Sequence, residues 1–183
     1  ASAVNVYLEN DRDLLVDEIH GKKEDGTVQI RVDGDLTGKT TDSMISGGHL
    51  DAEINGSLGT PENRMNTDVD SIKAKADDIY LNNISDKMEI RGMTAENIDI
   101  IARGDIFGKD VRSGNLVIRS NGHTGYSDNP LLIHVSGNVD IGSTYGEVHY
   151  VNSYRAEKPS EEKPGQKQNH DSGEKPERKP SSQ

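Results

Sequence analysis

Thr94–Gly108 reads TAENIDIIARGDIFG. Ile98, Ile100 and Ala102 fall on alternate positions, with Asn97, Asp99 and Ile101 between them, and a Gly-Asp-Ile-Phe-Gly turn follows at once. Alternation of period two, closed by turn residues, predicts a half-buried β-strand. The same unit recurs on both sides: Val28, Ile30 and Val32; Leu50, Ala52 and Ile54; Ile72, Ala74 and Ala76; Leu131, Ile133 and Val135. A change of parity after Val69 predicts a corner. No stretch of useful length carries a 3.6-residue period, so very little helix is expected.

Two periods are superimposed. Inward triplets begin at positions 28, 50, 72 and 98, with another at 116. Their spacing implies a rung of roughly 20–25 residues holding two or three short strands, which is what a parallel β-helix requires. A longer repeat of about 70 residues shows in the words themselves. Asn5–Asn10 (NVYLEN) returns at Asp78–Asn83 (DIYLNN) and weakly at Glu147–Asn152; Gly34–Gly38 (GDLTG) returns at Gly104–Gly108 (GDIFG); Asn55–Gly59 (NGSLG) returns at Asn121–Gly125 (NGHTG). About seven rungs 4.8 Å apart would span about 35 Å. Each is too thin to bury its apolar face alone and must stack on neighbours. Asn5, Asn10, Asn83 and Asn152 are candidates for side-chain ladders between rungs.

Composition agrees. With no Trp, one Phe and nineteen Gly among 183 residues, the core must be built from small aliphatics, which suits thin stacked layers. Residues 155–183 hold seven Lys/Arg and six Asp/Glu, leaving 14 against 26 for residues 1–154. So acidic a body repels phosphate backbones and anionic membranes, which argues against nucleic acid as a partner; the ordinary role of such acidity is solubility. The chain has no Cys, which removes disulfides and thiolate chemistry. No apolar run approaches the ~18 residues of a membrane span, and no signal peptide is visible. Opening in mid-strand without an initiator Met, the chain reads as a fragment of something longer. From residue 155 onward, Glu-Lys-Pro words recur without aliphatics, predicting a disordered, extended Pro/Lys/Glu-rich spacer at 155–183 after a β-helical segment at 1–154.

Chemistry is harder to find. The pairs Asp33/Asp35, Asp68/Asp70 and Asp77/Asp78 are the candidates for acid and base carboxylates, but so acidic a chain forms such pairs by chance. A glycan-cleaving groove also wants aromatic platforms, which are scarce. Asp/Asn/Gly turns supply calcium-type oxygens, yet Gly47–Asp51 (GGHLD) is a poor imitation of a calcium-binding nonapeptide, and turn chemistry is the favoured reading. His134 and His149 read as exposed strand residues, with no His-x-Glu or His-x3-His spacing. Gly34–Gly38 and Gly104–Gly108 are not phosphate loops, because no Gly-Lys-Ser/Thr follows. No catalytic, cofactor-binding or metal-ligating residue is assigned.

With these words in view, residues 1–154 resemble the filamentous-haemagglutinin-like large bacterial adhesins, and within them the leukotoxin-type filamentous adhesins of anaerobic bacteria. The matching words are Asn129-Pro-Leu131 followed by the Val135–Val139 strand (VSGNV); the earlier copy departs, with Arg64 where proline stood. The resemblance implies a right-handed parallel β-helix, all-β, in a long secreted or surface-displayed protein. The expected role is a non-enzymatic shaft that projects a distal binding region outside the cell. Its partners would be adjoining repeats of the same polypeptide and a host surface protein or glycan, met through loops such as Gly38–Gly48 or Gly122–Asn129, with no membrane insertion in this segment. The alternatives are a β-helical polysaccharide-acting enzyme fragment and a β-sandwich carbohydrate-binding module.

Overall fold

The computed structural model describes residues 4–155, so the expected spacer lies outside the described residues apart from Arg155. The described chain has no helix and winds into a parallel β-solenoid of about seven turns. The first turn holds β1 (Val6–Asn10), β2 (Leu14–Val16) and β3 (Glu18–His20). The second holds β4 (Thr27–Val32), β5 (Leu36–Gly38) and the start of β6 (Met44–Ile54). The rest of β6 and the start of β7 (Met65–Lys75) make the third, and the rest of β7 with β8 (Asp78–Asn83) the fourth. The long strand β9 (Lys87–Ala102) supplies the fifth almost alone. β10 (Asp105–Gly108) and β11 (Val111–Ser120) form the sixth, β12 (Leu131–Val135) and β13 (Val139–Ser143) the seventh, and β14 (Tyr150–Asn152) begins another.

Every pairing between named strands is parallel. Register is set by matching aliphatics: Val6 beside Val28, Val28 beside Leu50, Leu50 beside Ile72, at one constant interval. The interval then contracts. Ile72 is followed in its column by Ile90, a shorter step, and Ile98 lies beside Ile79 rather than beside Ile72. The apparent long step between the triplets at 72 and 98 thus joins two different faces of the coil. The contraction has a local cause. In the second and third turns, loops at 39–43 and 59–64 bulge from one corner, whereas Ile79 and Leu81 follow each other along the straight strand β8. They stack on Leu58 and Met65, which stand on either side of the 59–64 loop.

The interior is a set of aliphatic columns. Ile30, Ile72, Ile79, Ile90, Ile100 and Ile118 are fully buried, each worth about 1.5–3 kcal/mol relative to exposure. Val69 and Ile72 are both buried although their spacing breaks the alternation, which marks the corner inside β7.

Asp and Gly words shape the corners. Asp35 donates its backbone N–H to Asp13 Oδ1 (2.9 Å), and Asp35 Oδ1 in turn accepts from Ser57 N (2.8 Å), one turn on. Asp105 Oδ1 accepts from His123 N at 2.7 Å in the same manner. Each carboxylate needs a glycine opposite it: a Cβ on Gly34, Gly56 or Gly122 would fall 2.1–2.2 Å from the oxygen. The words GDLTG and NGSLG are therefore consecutive layers, with Leu36 beside Leu58, and GDIFG and NGHTG are another such pair, with Ile106 beside Thr124. Gly59 and Gly125, which close the upper word of each pair, take φ of 73° and 69°, a conformation that favours glycine. The members of the longer repeat do not lie over one another: Leu36 and Ile106 belong to different columns.

The expected Asn ladder is built by other residues. Asn82 donates to Asn66 (2.7 Å), and Asn97 links Asp78 to Asn115. Asn5 caps Thr27 N, Asn10 bonds within its own turn, and Asn152 bonds the backbone of Val135. Asn83 points inward and is fully buried, accepting from Thr67 Oγ1.

The paired exposures of one strand give a direct check. Ile98→Ala, in a fully packed column, is expected to cost about 2–5 kcal/mol. Ile101→Ala, at a side chain 41% exposed, should stay within about 0.5 kcal/mol of the parent in urea denaturation.

Candidate interaction surfaces

Of the six carboxylates singled out in sequence, all but Asp77, which joins the coil through its backbone N–H to Gly56 O, are engaged in holding the coil together. Asp33 Oδ1 accepts from Asn55 Nδ2 (3.1 Å), Asp35 caps Ser57, and Asp78 Oδ1 accepts from both the backbone and the side chain of Asn97. Asp68 meets Lys23 Nζ at 2.6 Å and Ser85 Oγ at 2.9 Å, while Lys23 also approaches Asp70 at 3.6 Å. Burial raises the Asp68 carboxyl, but the Lys23 and Ser85 hydrogen bonds together hold it below the usual carboxylate range. The loop at 21–26 is thereby clasped to β7, two turns away in the stack. Acid catalysis at neutral pH calls for a carboxyl held above that range. Asp68, Asp105, Asp140 and Glu147 are all shifted the other way.

The histidines follow the stacking too. His20 Nδ1 lies 2.7 Å from Ser46 Oγ, and His49 Nδ1 lies 2.6 Å from Ser71 Oγ, each pair being register neighbours on adjacent turns. His134 is half-buried, 3.2 Å from Ser153 Oγ, and half-buried His149 pairs with Glu147 at 2.8 Å. His49 and Asp51 of the Gly47–Asp51 word lie within β6, and no group of three His, Asp or Glu able to hold a metal ion occurs among the described residues.

Of the two loops expected to face a partner, the one inside Gly38–Gly48 is stitched to the next turn. Asn63 Nδ2 donates to Gly38 O, and Asn66 Nδ2 to Thr41 O and Ser43 O. The Gly122–Asn129 loop carries an aromatic cluster. Phe107 and Tyr126 lie 6.0 Å apart, His123 lies 5.6 Å from Tyr126, and Lys87 Nζ sits 4.9 Å from the Phe107 ring centre. Tyr126 donates its hydroxyl to Asp105 Oδ2 at 2.8 Å. Burial, reinforced by that bond, pushes the Tyr126 phenol up to about 12. Burial raises the Asp105 carboxyl, but the His123 N–H and the Tyr126 hydroxyl outweigh it and hold the group below its usual range. This cluster escaped the sequence reading. Laying GDIFG directly under NGHTG, instead of over the distant GDLTG, brings Phe107 and Tyr126 together.

The second surface is the flat outer side of β1, β4, β6, β7, β9 and β11. One outward row runs Glu9, Arg31, Glu53, Lys75, Thr94, Arg112, each beside the next in register. A parallel row runs Tyr7, Gln29, Asp51, Lys73, Gly92. Between Ile90 and Gly92 the register shifts by one position, so Arg91 bulges outward. An open trough of about 530 Å³ runs along these rows. Arg31 approaches Glu53 at 3.8 Å, but Asp51, Lys73, Lys75 and Arg112 have no ion-pair partner among the described residues.

Comparison with protein-family models, with curated proteins and with solved structures finds no match to this chain.

The aromatic cluster makes a pH-dependent contribution of defined sign. Asp105 has a depressed carboxyl, so its contribution is complete above the unfolded value of about 3.9 and is lost as pH falls through its lower folded value. Asp105→Asn should melt lower than the parent at neutral pH, and the gap should close in strong acid. In the same variant, spectrophotometric titration should bring the Tyr126 phenol down toward the ordinary tyrosine range.

Proposed function

We propose that this chain is a structural section of a long β-helical shaft, belonging to a secreted or surface-displayed filamentous adhesin of a bacterium and holding a distal binding region away from the cell. The observation that carries the reading is the contrast between the middle and the ends of the coil. Ile30, Ile72, Ile90 and Ile118 are sealed on all sides, whereas Val6, Leu8, Leu14 and Ile19 in the first turn and Val139 and Ile141 in the seventh are only partly buried. Further rungs stacked at either end would close those layers and satisfy the open strand edges. The Asn129-Pro-Leu131 and Val135–Val139 words support the adhesin assignment by resemblance. No helix of the described residues is long and apolar enough to cross a membrane.

Immuno-electron microscopy of intact cells of the source organism tests the proposal. Antibody raised against the chain should label projections outside the cell, set back from their tips. Label confined to the cell interior would contradict the shaft reading. Release of reducing ends from a panel of neutral and acidic polysaccharides would favour the enzyme reading instead.

A further inference from the structure

The outer face of β1, β4, β6, β7, β9 and β11 is electrically polar along the axis of the coil, and we propose that it is a self-complementary surface on which two copies of this chain dock side by side and antiparallel. Turns one and three present Glu9, Asp51 and Glu53; turns four to six present Lys73, Lys75 and Arg112, with Arg91 paired to Glu89 at 3.5 Å and Asp110 also lining the trough. A two-fold axis lying between the two faces, along the strand direction and between turns three and four, sets each turn of one copy against its complement in the other. Asp51 then faces Lys73 of the partner subunit, Glu53 faces Lys75 of the partner subunit, and Glu9 faces Arg112 of the partner subunit. Arg31 faces the uncharged Thr94 of the partner subunit, so no like-charge pair arises along that row.

The parallel arrangement fails on the same residues, because it would set the carboxylates of turn three against carboxylates and the lysines of turn four against lysines. Strands of about six residues across six turns give a patch of about 20 Å by about 29 Å. Two such patches bury about 1,200 Å², at the lower edge of specific interfaces, so the association is weak. An isologous contact of this kind closes as a dimer and does not propagate. The net charge of −11 opposes association of any two copies, but at about 0.1 M salt that repulsion is screened beyond about 10 Å, while the facing rows lie within that range. A second copy is favoured over a free polyanion because acidic and basic residues share one trough, and the acidic half would repel such a ligand.

Sedimentation equilibrium of the full chain at moderate salt, with the charge-reversed variants D51K/E53K and K73E/K75E, tests this. The parent should dimerise with a dissociation constant between about 10 µM and about 1 mM, weakening as salt rises. Each variant alone should dimerise at least tenfold more weakly. An equimolar mixture of the two should form a heterodimer, since turns three and four are then basic throughout these two rows in one variant and acidic throughout in the other. The fourfold variant D51K/E53K/K73E/K75E should recover self-association. Circular dichroism confirms that each variant keeps its strands. A parent that stays monomeric up to about 1 mM, or reversed variants that associate as the parent does, would overturn the proposal; so would a mixture that shows no heterodimer.

Discussion

The in-register parallel ladder is the constraint on which everything else depends. Each turn must place its backbone donors and acceptors opposite those of the turn before, about 4.8 Å away, and this forces equivalent side chains into columns. Once Val28 lies beside Leu50 and Leu50 beside Ile72, the interior is a stack of aliphatics that no single turn could bury. The near absence of large rings follows, since a column of Ile, Leu, Val and Ala repeats at the ladder spacing without distorting it. The outer face obeys the same rule: Ser above His, Asn beneath Asn, carboxylate beside cation.

Corners are where the ladder breaks, and the chain concentrates its Asp, Asn and Gly there. A carboxylate such as Asp35 reaches across one layer to the N–H of Ser57, and Gly56 leaves room for it. The donor is satisfied by a side chain where strand pairing has lapsed. This use accounts for several of the body's carboxylates, because Asp33, Asp35 and Asp78, which resembled catalytic candidates, are bonded to backbone N–H groups or to neighbouring Asn. The Lys23–Asp68 clasp and the Tyr126–Asp105 bond do similar work between layers.

The strand faces were legible from alternation alone. Ile98, Ile100 and Ala102 are buried and Ile101 is exposed as the parity of the Thr94–Gly108 stretch requires, and the number of layers follows from the triplets. Parity also places Asn83 inside, on the same face as Leu81, although its residue type suggested an Asn ladder between rungs; a polar residue closing an inward row is buried when Thr67 waits beneath it. The shortening of the turn after Ile72 was not legible, because it arises from loops at 39–43 and 59–64 whose absence later in the chain leaves no mark of its own. That missed interval also hid the Phe107–Tyr126 contact and the alignment of the charged rows. Both depend on which turn lies over which, and local sequence does not encode that.

Spin labels placed in pairs along the outward row test the stacked architecture most directly. Pulsed electron resonance, under dilute and high-salt conditions that keep chains apart, should give a distance for the Glu9 and Lys75 positions near three ladder spacings, about 14 Å, and for Glu9 and Arg112 near five, about 24 Å. Growth by one ladder spacing per turn is the signature of parallel coils wound in this register. Distances that fail to increase from the first pair to the second would contradict it.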